Sequence, residues 1–289
     1  MHRIVANDQL APAVHRLVIH APQIAKVRRP GQFVIVRLDQ GHERIPLTIA
    51  DGDATAGTIT LVIQAMGHST KAIVATPVGG MIRDVAGPLG APTHLIEKGF
   101  AVCVGGGVGT AVVHPIAQAL HAAGVRVTSI IGGRNRSLVI YHDELGRLGE
   151  VQVCTDDGSW GRKGLVTDAL VELCAVGKPD VIYAVGPVPM MQAVATTTKP
   201  MGIHTVVSLN PVMVDGTGMC GGCRVTVGGQ VRFACVDGPE FDGHQVDFAE
   251  LRSRLGTYKM FEAQPCDDGS CKARRAADQI IQQQQQQQQ

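Results

Sequence analysis

Between Val104 and Ala111 the chain reads Val-Gly-Gly-Gly-Val-Gly-Thr-Ala, after an apolar stretch at 100–104 and before a helical periodicity at 110–123. A strand, a glycine turn and a helix in that order leave few folds open. The glycines let the backbone turn tightly and bring its N–H groups close to a pyrophosphate, and the helix N-terminus favours the anion. Further short apolar strands are expected at 125–131, 151–154, 181–185 and 203–208, with helices at 165–176 and 189–197 between them. That alternation predicts a parallel sheet covered on both faces. The second strand ends in Gly132-Gly133-Arg134, with no acidic residue for a ribose, so the glycine run does not decide between NAD and NADP.

Residues 1–97 have a different rhythm. Strand-like runs at 13–20, 31–38 and 58–64 are separated by Gly, Pro and Asp, with one short helix expected at 69–75. Strands so spaced predict a small closed or nearly closed β-barrel. Residues 209–241 are rich in glycine and carry three cysteines; a helix is expected at 247–255. From 263 the chain is polar and ends in eight glutamines, a tail expected to lie outside the fold and to be disordered. The expected boundaries are therefore 1–97, 98–208, 209–262 and 263–289.

Of the 289 residues 45% are hydrophobic, and the formal net charge is +1. Such a chain lacks the basic excess of a nucleic-acid surface and the low hydrophobicity of a disordered one. No apolar run is long enough for a membrane span, and the first residues lack the apolar stretch of a signal peptide. A cytosolic (cytoplasmic) chain is expected, in which the eight cysteines serve as thiols or metal ligands. Cys103 and Cys154 on strands and Cys174 on a helix read as packing, Cys266 and Cys271 as part of the tail.

Two further groups of residues carry chemistry. Arg44-Ile45-Pro46-Leu47-Thr48 reads as a polar turn after a strand, Gly67-His68-Ser69-Thr70 as a helix start, and Gly87-Pro88-Leu89-Gly90 as the segment closing the barrel. An Arg fork, hydroxyls with N–H groups at a helix start and a Gly-Pro loop suit a diphosphate carrying a flat ring. The other group is Asp215, Cys220, Cys223 and Cys235, spaced D-x4-C-x2-C-x11-C. The plant-type [2Fe–2S] pattern begins C-x4-C-x2-C, so only the first ligand differs. Glycines between these residues let a loop wrap a cluster and point N–H groups at its sulfurs. A structural zinc on three thiolates and a carboxylate is the chemical rival.

Barrel, Gly-Gly-Gly-Val-Gly-Thr-Ala domain and C-terminal cluster loop, in this order, resemble the ferredoxin–NADP reductase-like electron-transfer subunits. The chain is similar to the electron-transfer subunit of dihydroorotate dehydrogenase. It is more similar to the small (alpha) subunits of NADH-dependent reduced ferredoxin:NADP oxidoreductase, also called sulfide dehydrogenase small subunits. Asp215 in the first ligand position, residues 44–51 and Thr155-Asp156-Asp157-Gly158-Ser159 favour the latter. The resemblance covers about residues 1–262. It implies an FAD-binding barrel, an NAD(P)-binding α/β domain and a [2Fe–2S] domain.

It also implies roles. Arg44 matches the flavin-diphosphate Arg; Pro46, Leu47 and Thr48 match the stretch along the isoalloxazine; and Gly67, His68, Ser69 and Thr70 match the second FAD motif, with Gly87 and Pro88 nearby. Gly105, Gly106, Gly107, Val108, Gly109 and Thr110 match the nicotinamide nucleotide loop. Gly133, Arg134, Asp156, Asp157, Gly186, Pro187 and Met190 match later edges of that pocket. Hydride would pass directly between nicotinamide and flavin, so no catalytic acid or base is expected. The implied cofactors are FAD, a [2Fe–2S] cluster and NAD(H), with NADP(H) left open by Arg134 and Arg136. The implied partner is a larger glutamate-synthase-like flavin and [4Fe–4S] subunit that meets ferredoxin, in an electron-bifurcating complex. The alternatives are a dihydroorotate dehydrogenase electron-transfer subunit and a non-redox nucleotide-sensing module with structural zinc.

Overall fold

The structure, a computed structural model, describes residues 1–257. The tail expected from 263, with Cys266 and Cys271, lies outside the described residues. Residues up to Arg252 form one compact unit.

Seven strands make the first sheet: β1 (His2–Ala11), β2 (Val14–His20), β3 (Phe33–Arg37), β4 (Ile45–Asp53), β5 (Thr58–Gln64), β6 (Met81–Ile82) and β7 (Asp84–Leu89). Helix α1 (Pro22–Val27) follows β2, and α2 (His68–Ala75) follows β5. The strand order is β6-β1-β2-β5-β4-β3-β7, so β6 and β7 stand at opposite edges. Only Arg83 separates them in sequence, and that link draws the edges together into a nearly closed antiparallel barrel. Its core is aliphatic: Ile4, Leu17, Ile19, Ile49, Ile59, Leu61 and Ile63 are all but inaccessible to solvent.

Two expectations need correction here. Residues 45–48 are not a polar turn but the first half of β4, paired with β3 in the register Val34↔Leu47 and Ile35↔Pro46. Pro46 is tolerated because β4 meets its other neighbour, β5, only from Ile49 onward; no ladder hydrogen bond is lost on that side. Gly87, Pro88 and Leu89 likewise lie on a strand, β7, rather than in a closing loop.

The second sheet is built from β8 (Phe100–Gly106), β9 (Arg126–Gly133), β10 (Glu150–Thr155), β11 (Arg162–Lys163), β12 (Val181–Val185) and β13 (His204–Ser208). Between them run α3 (Gly109–Ala122), α4 (His142–Gly146), α5 (Val166–Val176) and α6 (Val188–Thr198). These strands pair in parallel in the order β11-β10-β9-β8-β12-β13. Helix α3 packs on β8, β9 and β12 and also on barrel strand β4, whereas α5 and α6 pack against each other. One apolar core therefore runs from α3 and this sheet to Ala50 and Val62 of the barrel.

The C-terminal segment contributes the hairpin β14 (Arg224–Val227) and β15 (Gln230–Phe233), then β16 (Glu240–Asp242) and α7 (Phe248–Gly256). Strand β16 adds antiparallel to β13, so this segment also lends an edge strand to the parallel sheet. No helix among the described residues is long and apolar enough to cross a membrane.

Candidate functional site

The glycine run leaves β8 and enters α3 where the strand order reverses, β9 on one side of β8 and β12 on the other. Ligands of open α/β sheets bind at the carboxyl ends of strands at such a switch point. The residues expected there are brought together. A Cβ at Gly106 would strike Met190 Sδ, one at Gly186 would lie 2.7 Å from Met190 Cε, and one at Gly109 would strike the Val185 carbonyl. Gly105 is similarly closed by Thr110, 2.7 Å from its Cα. Gly107, at φ +55°, instead faces open space. The packed glycines thus fix the turn, while Gly107 leaves room for an approaching ligand.

Neighbouring loops line the same edge. Gly107 N–H donates to Gly132 O at 2.9 Å, Asp156 N–H to Gly133 O at 3.2 Å and Asp157 N–H to Arg134 O at 3.3 Å. The exposed Asp157 carboxylate accepts the Ser159 N–H at 2.9 Å, and its pKa is held below the usual value by Ser159. Arg136 places its guanidinium 5.5 Å from the Trp160 ring centre, while its own N–H donates to Ser159 Oγ. Trp160 packs, partly buried, against the core of the parallel sheet and also carries Arg136.

On the barrel, exposed Arg44 precedes β4, and among the described residues it has no ion pair. The loop before it is tied to α2: Glu43 N–H donates to the buried Ser69 Oγ at 3.2 Å, and His42 stacks on His68 at 5.1 Å. Thr70 Oγ accepts the Met66 and Gly67 N–H groups, each at 3.0 Å. Both hydroxyls are thus engaged locally. What stays open for a phosphate is the exposed Arg44 guanidinium, two residues from the stacked His42, and the start of α2, where Gly67 faces free space. A fork and a helix N-terminus suit a diphosphate. Gly87 packs on β3, since a Cβ there would lie 2.8 Å from Val34 Cγ1. Helix α3 reaches barrel strand β4 through His114, whose Nδ1 lies 3.5 Å from Ala50 O and whose ring meets Tyr141 edge-on. Burial pushes the His114 pKa down, keeping the ring neutral. Nothing in the sequence singled out this histidine.

The cysteine loop presents its donors as two pairs. Cys223 and Cys235 are buried, with their sulfurs 3.1 Å apart as free thiols. Asp215 accepts the N–H groups of Thr217 at 3.0 Å and Cys220 at 2.8 Å, which hold its carboxyl below the ordinary range. Gly222 N–H points at Cys220 Sγ, 3.4 Å away. Burial and Cys223 push the Cys235 thiol up to about 12. Once ionised, two sulfurs this close and this dry would need a cation between or beside them. Among the described residues no three His, Cys, Asp or Glu side chains surround one point. Two pairs suit a two-iron cluster, in which each iron takes two protein ligands.

The loop is seated on the barrel. Gly216, at φ +76°, lies against β3 and β7: a Cβ there would be 2.6 Å from Leu89 Cδ1 and 3.0 Å from Ile35 Cγ1. Ile35 is the register partner of Pro46, and Leu89 that of Phe33, which in turn pairs with Thr48. Farther along, Ala91 N–H donates to Gly238 O at 2.6 Å. Residues 46–48 are thus one strand away from the cysteine loop. A concavity of about 780 Å³ under Phe100, Val125 and Glu150 lies instead at the amino-terminal ends of β8 to β10, away from all these groups.

Fold and site define a two-module oxidoreductase of the ferredoxin–NADP reductase fold with an iron–sulfur segment appended. Residues 103–196 match the oxidoreductase NAD-binding domain, and residues 210–247 match the iron–sulfur cluster binding domain of dihydroorotate dehydrogenase B. The chain is 46% identical over 262 residues to a dihydroorotate dehydrogenase B electron transfer subunit homolog of Thermotoga maritima, covering 91% of this chain and 93% of the relative. It is 34% identical to the dihydroorotate dehydrogenase B electron transfer subunit of Shouchella clausii, covering 82% and 94%. A solved structure of the NADH-dependent reduced ferredoxin-NADP oxidoreductase superposes with a TM-score of 0.87 at 44% identity, over 90% of this chain and 94% of that one. A ferredoxin reductase of carbazole 1,9a-dioxygenase, at 19% identity and TM-score 0.58, shares the fold. The chain belongs to the family of dihydroorotate dehydrogenase B electron transfer subunits and their homologues.

Proposed function

We propose that this chain is the FAD- and [2Fe–2S]-carrying subunit that exchanges hydride with NAD(H) and passes single electrons to a larger partner, in an NADH-dependent reduced ferredoxin:NADP oxidoreductase. The observation that carries the reading is the seating of the cysteine loop, through Gly216, on the strands that flank residues 46–48. A loop built only to hold a structural metal has no need of that contact.

Bound flavin and cluster supply the conversion between a two-electron hydride donor and a one-electron acceptor. The protein's own part is placement. Arg44 and the first turn of α2 hold the flavin diphosphate. Gly105 to Thr110 hold the nucleotide pyrophosphate, with Asp156, Asp157, Gly186, Pro187 and Met190 as its rim. Val185-Gly186 stand at the end of β12, so no thiol assists there. Asp215, Cys220, Cys223 and Cys235 are the ligands we assign to the cluster. Val212, Val214, Met219, Val231 and Val236, on and beside this loop in sequence, are exposed apolar residues of the kind a protein partner covers. Within the family, Asp215 in the first ligand position supports the ferredoxin:NADP oxidoreductase assignment, as does the 44% identity. The relatives named for dihydroorotate dehydrogenase B make a dihydroorotate-oxidising partner the second reading.

The test is anaerobic reconstitution of the full chain followed by mixing with NADH or NADPH. Flavin bleaching by NADH followed by cluster bleaching is expected. Zinc in place of iron, or no flavin bound, would overturn the proposal; a clear NADPH preference would overturn the nucleotide assignment. Co-purification decides the partner: a glutamate-synthase-like flavoprotein is expected, and a dihydroorotate-oxidising subunit would select the second reading.

A further inference from the structure

Glu240 opens β16, where the chain leaving the cysteine loop joins the parallel sheet opposite Ser208. Its carboxyl turns into the seam between that segment and the barrel. Thr93, on the chain leaving the barrel, donates its hydroxyl to Oε1 at 2.9 Å. Gly31, at φ +81°, has no space for a side chain: a Cβ there would strike Thr93 Oγ1 and lie 2.9 Å from Glu240 Oε1. The preceding Gly238 and Pro239 rest on Gly90, which in turn touches Phe33, the register partner of Thr48. Although the residue as a whole is half-buried, the carboxyl end is enclosed.

No cation answers this carboxyl. Among the described residues it has no ion pair, and its one side-chain partner is the neutral hydroxyl of Thr93. From the sheet side it feels Cys103 of β8 and Tyr183 of β12, both kept neutral by burial. Tyr183 donates its hydroxyl to His94 O at 2.8 Å. On its own strand Asp242 is occupied by the His244 N–H and the Gln245 amide. Desolvation lifts the Glu240 pKa to about 7, against a hydrogen bond from Thr93 that lowers it. A carboxyl balanced there responds to any new charge in its low-dielectric surroundings.

We propose that Glu240 takes up a proton when an electron reaches the flavin–cluster seam and releases it when the electron leaves. The inference rests on the function proposed above, in which NADH supplies the electron. The added electron contributes one negative charge. One proton from water forms an O–H bond on the Glu240 carboxylate and removes one negative charge; on reoxidation that bond breaks and the proton returns to solvent. No other bond changes, and the net charge of the seam is preserved.

The test is a dye-mediated redox titration of the cluster in the reconstituted full chain, from about pH 6 to about pH 8. With Glu240 coupled, each tenfold fall in proton concentration shifts the one-electron equilibrium by up to tenfold, about 59 mV. Glu240→Gln should flatten that slope. Thr93→Val keeps the carboxyl but removes its donor, and should move the sloping region to higher pH, a response a merely structural residue would not give. If Glu240→Gln fails to fold, the infrared difference between oxidised and reduced wild type decides, since reduction should add a protonated-carboxyl band. A pH-independent wild-type potential, a slope retained in Glu240→Gln, or no such band would overturn the inference. Normal reduction by NADH with no pH slope overturns this inference alone; failure to bind flavin or cluster overturns the proposed function with it.

Discussion

Gly216→Ala is the most direct perturbation of the seam between the cysteine loop and barrel strands β3 and β7. The new Cβ would stand 2.6 Å from Leu89 Cδ1 and 3.0 Å from Ile35 Cγ1. Ordinary carbon–carbon contact needs about 3.5–4.0 Å, so the loop must retreat from the barrel by about 1 Å. The backbone at φ +76° adds its own cost, about 1–2 kcal/mol for a residue with a Cβ. Overpacking contributes a further 1–3 kcal/mol, roughly, so a loss of about 2–5 kcal/mol is expected by urea unfolding. Stopped-flow mixing with NADH separates the two functions. Flavin bleaching should keep its wild-type rate, because the glycine run and β4 are untouched; cluster bleaching should slow. Adding Leu89→Ala removes the tighter steric contact but neither the one with Ile35 nor the backbone part, so it should restore much of the cluster rate while stability stays below wild type. Wild-type cluster bleaching in a measurably destabilised Gly216→Ala protein would refute the reasoning. An equal slowing of both steps would do so as well, since the damage would then be general.

Three further outcomes are expected. Arg44→Ala removes a charge-assisted fork, roughly 1.5–3 kcal/mol, and should weaken FAD binding by about 10- to 100-fold in equilibrium dialysis while leaving iron content unchanged. Asp215→Cys replaces a hard oxygen donor, which favours the ferric state, by a softer thiolate; the cluster potential should rise, and a fall would contradict the ligand assignment. Glu240 has an unperturbed pKa of 4.5 and a folded value of about 7, so between those values the folded chain holds a proton the unfolded chain has lost. Stability should therefore fall as pH rises through that window, by about 3 kcal/mol in all, and Glu240→Gln should show no such fall in denaturant midpoints.

The parallel sheet was the most legible part of the chain because its strands are buried on both faces. Residues 181–185 form an unbroken apolar run, and β12 has those bounds. The half-exposed barrel strands were harder to read. β1 mixes Asn7, Asp8 and Gln9 with Ile4 and Ala11, and bulges break its alternation. In β4, Pro46 imitates a turn because its compensation, the absence of a partner strand on one side, is a tertiary fact. The glycine run and the ligand spacing are local, and the sequence displays both. Gly31, Thr93 and Glu240 meet only after the whole chain has folded, and no local pattern announces an enclosed carboxyl. Ser69 and Thr70 show the limit from the other side: their residue types suit phosphate, yet the fold uses the Ser69 hydroxyl to fix the loop that carries Arg44 and the Thr70 hydroxyl to tie the turn that opens α2.

The two attachments to the barrel also bear on why such a chain would relay charge in one order. The helix that follows the nucleotide loop packs on β4, with His114 against Ala50. The cysteine loop packs on β3 and β7, with Gly216 against Ile35 and Leu89. Because β3 lies between β4 and β7 in the sheet, the two approaches reach residues 46–48 from different neighbours. Under the proposed function, a flavin on that stretch would stand between hydride donor and iron, so a two-electron donor would have no direct route to a one-electron acceptor. Moving either attachment would then alter one exchange without the other, which is why Gly216→Ala is expected to separate the two rates.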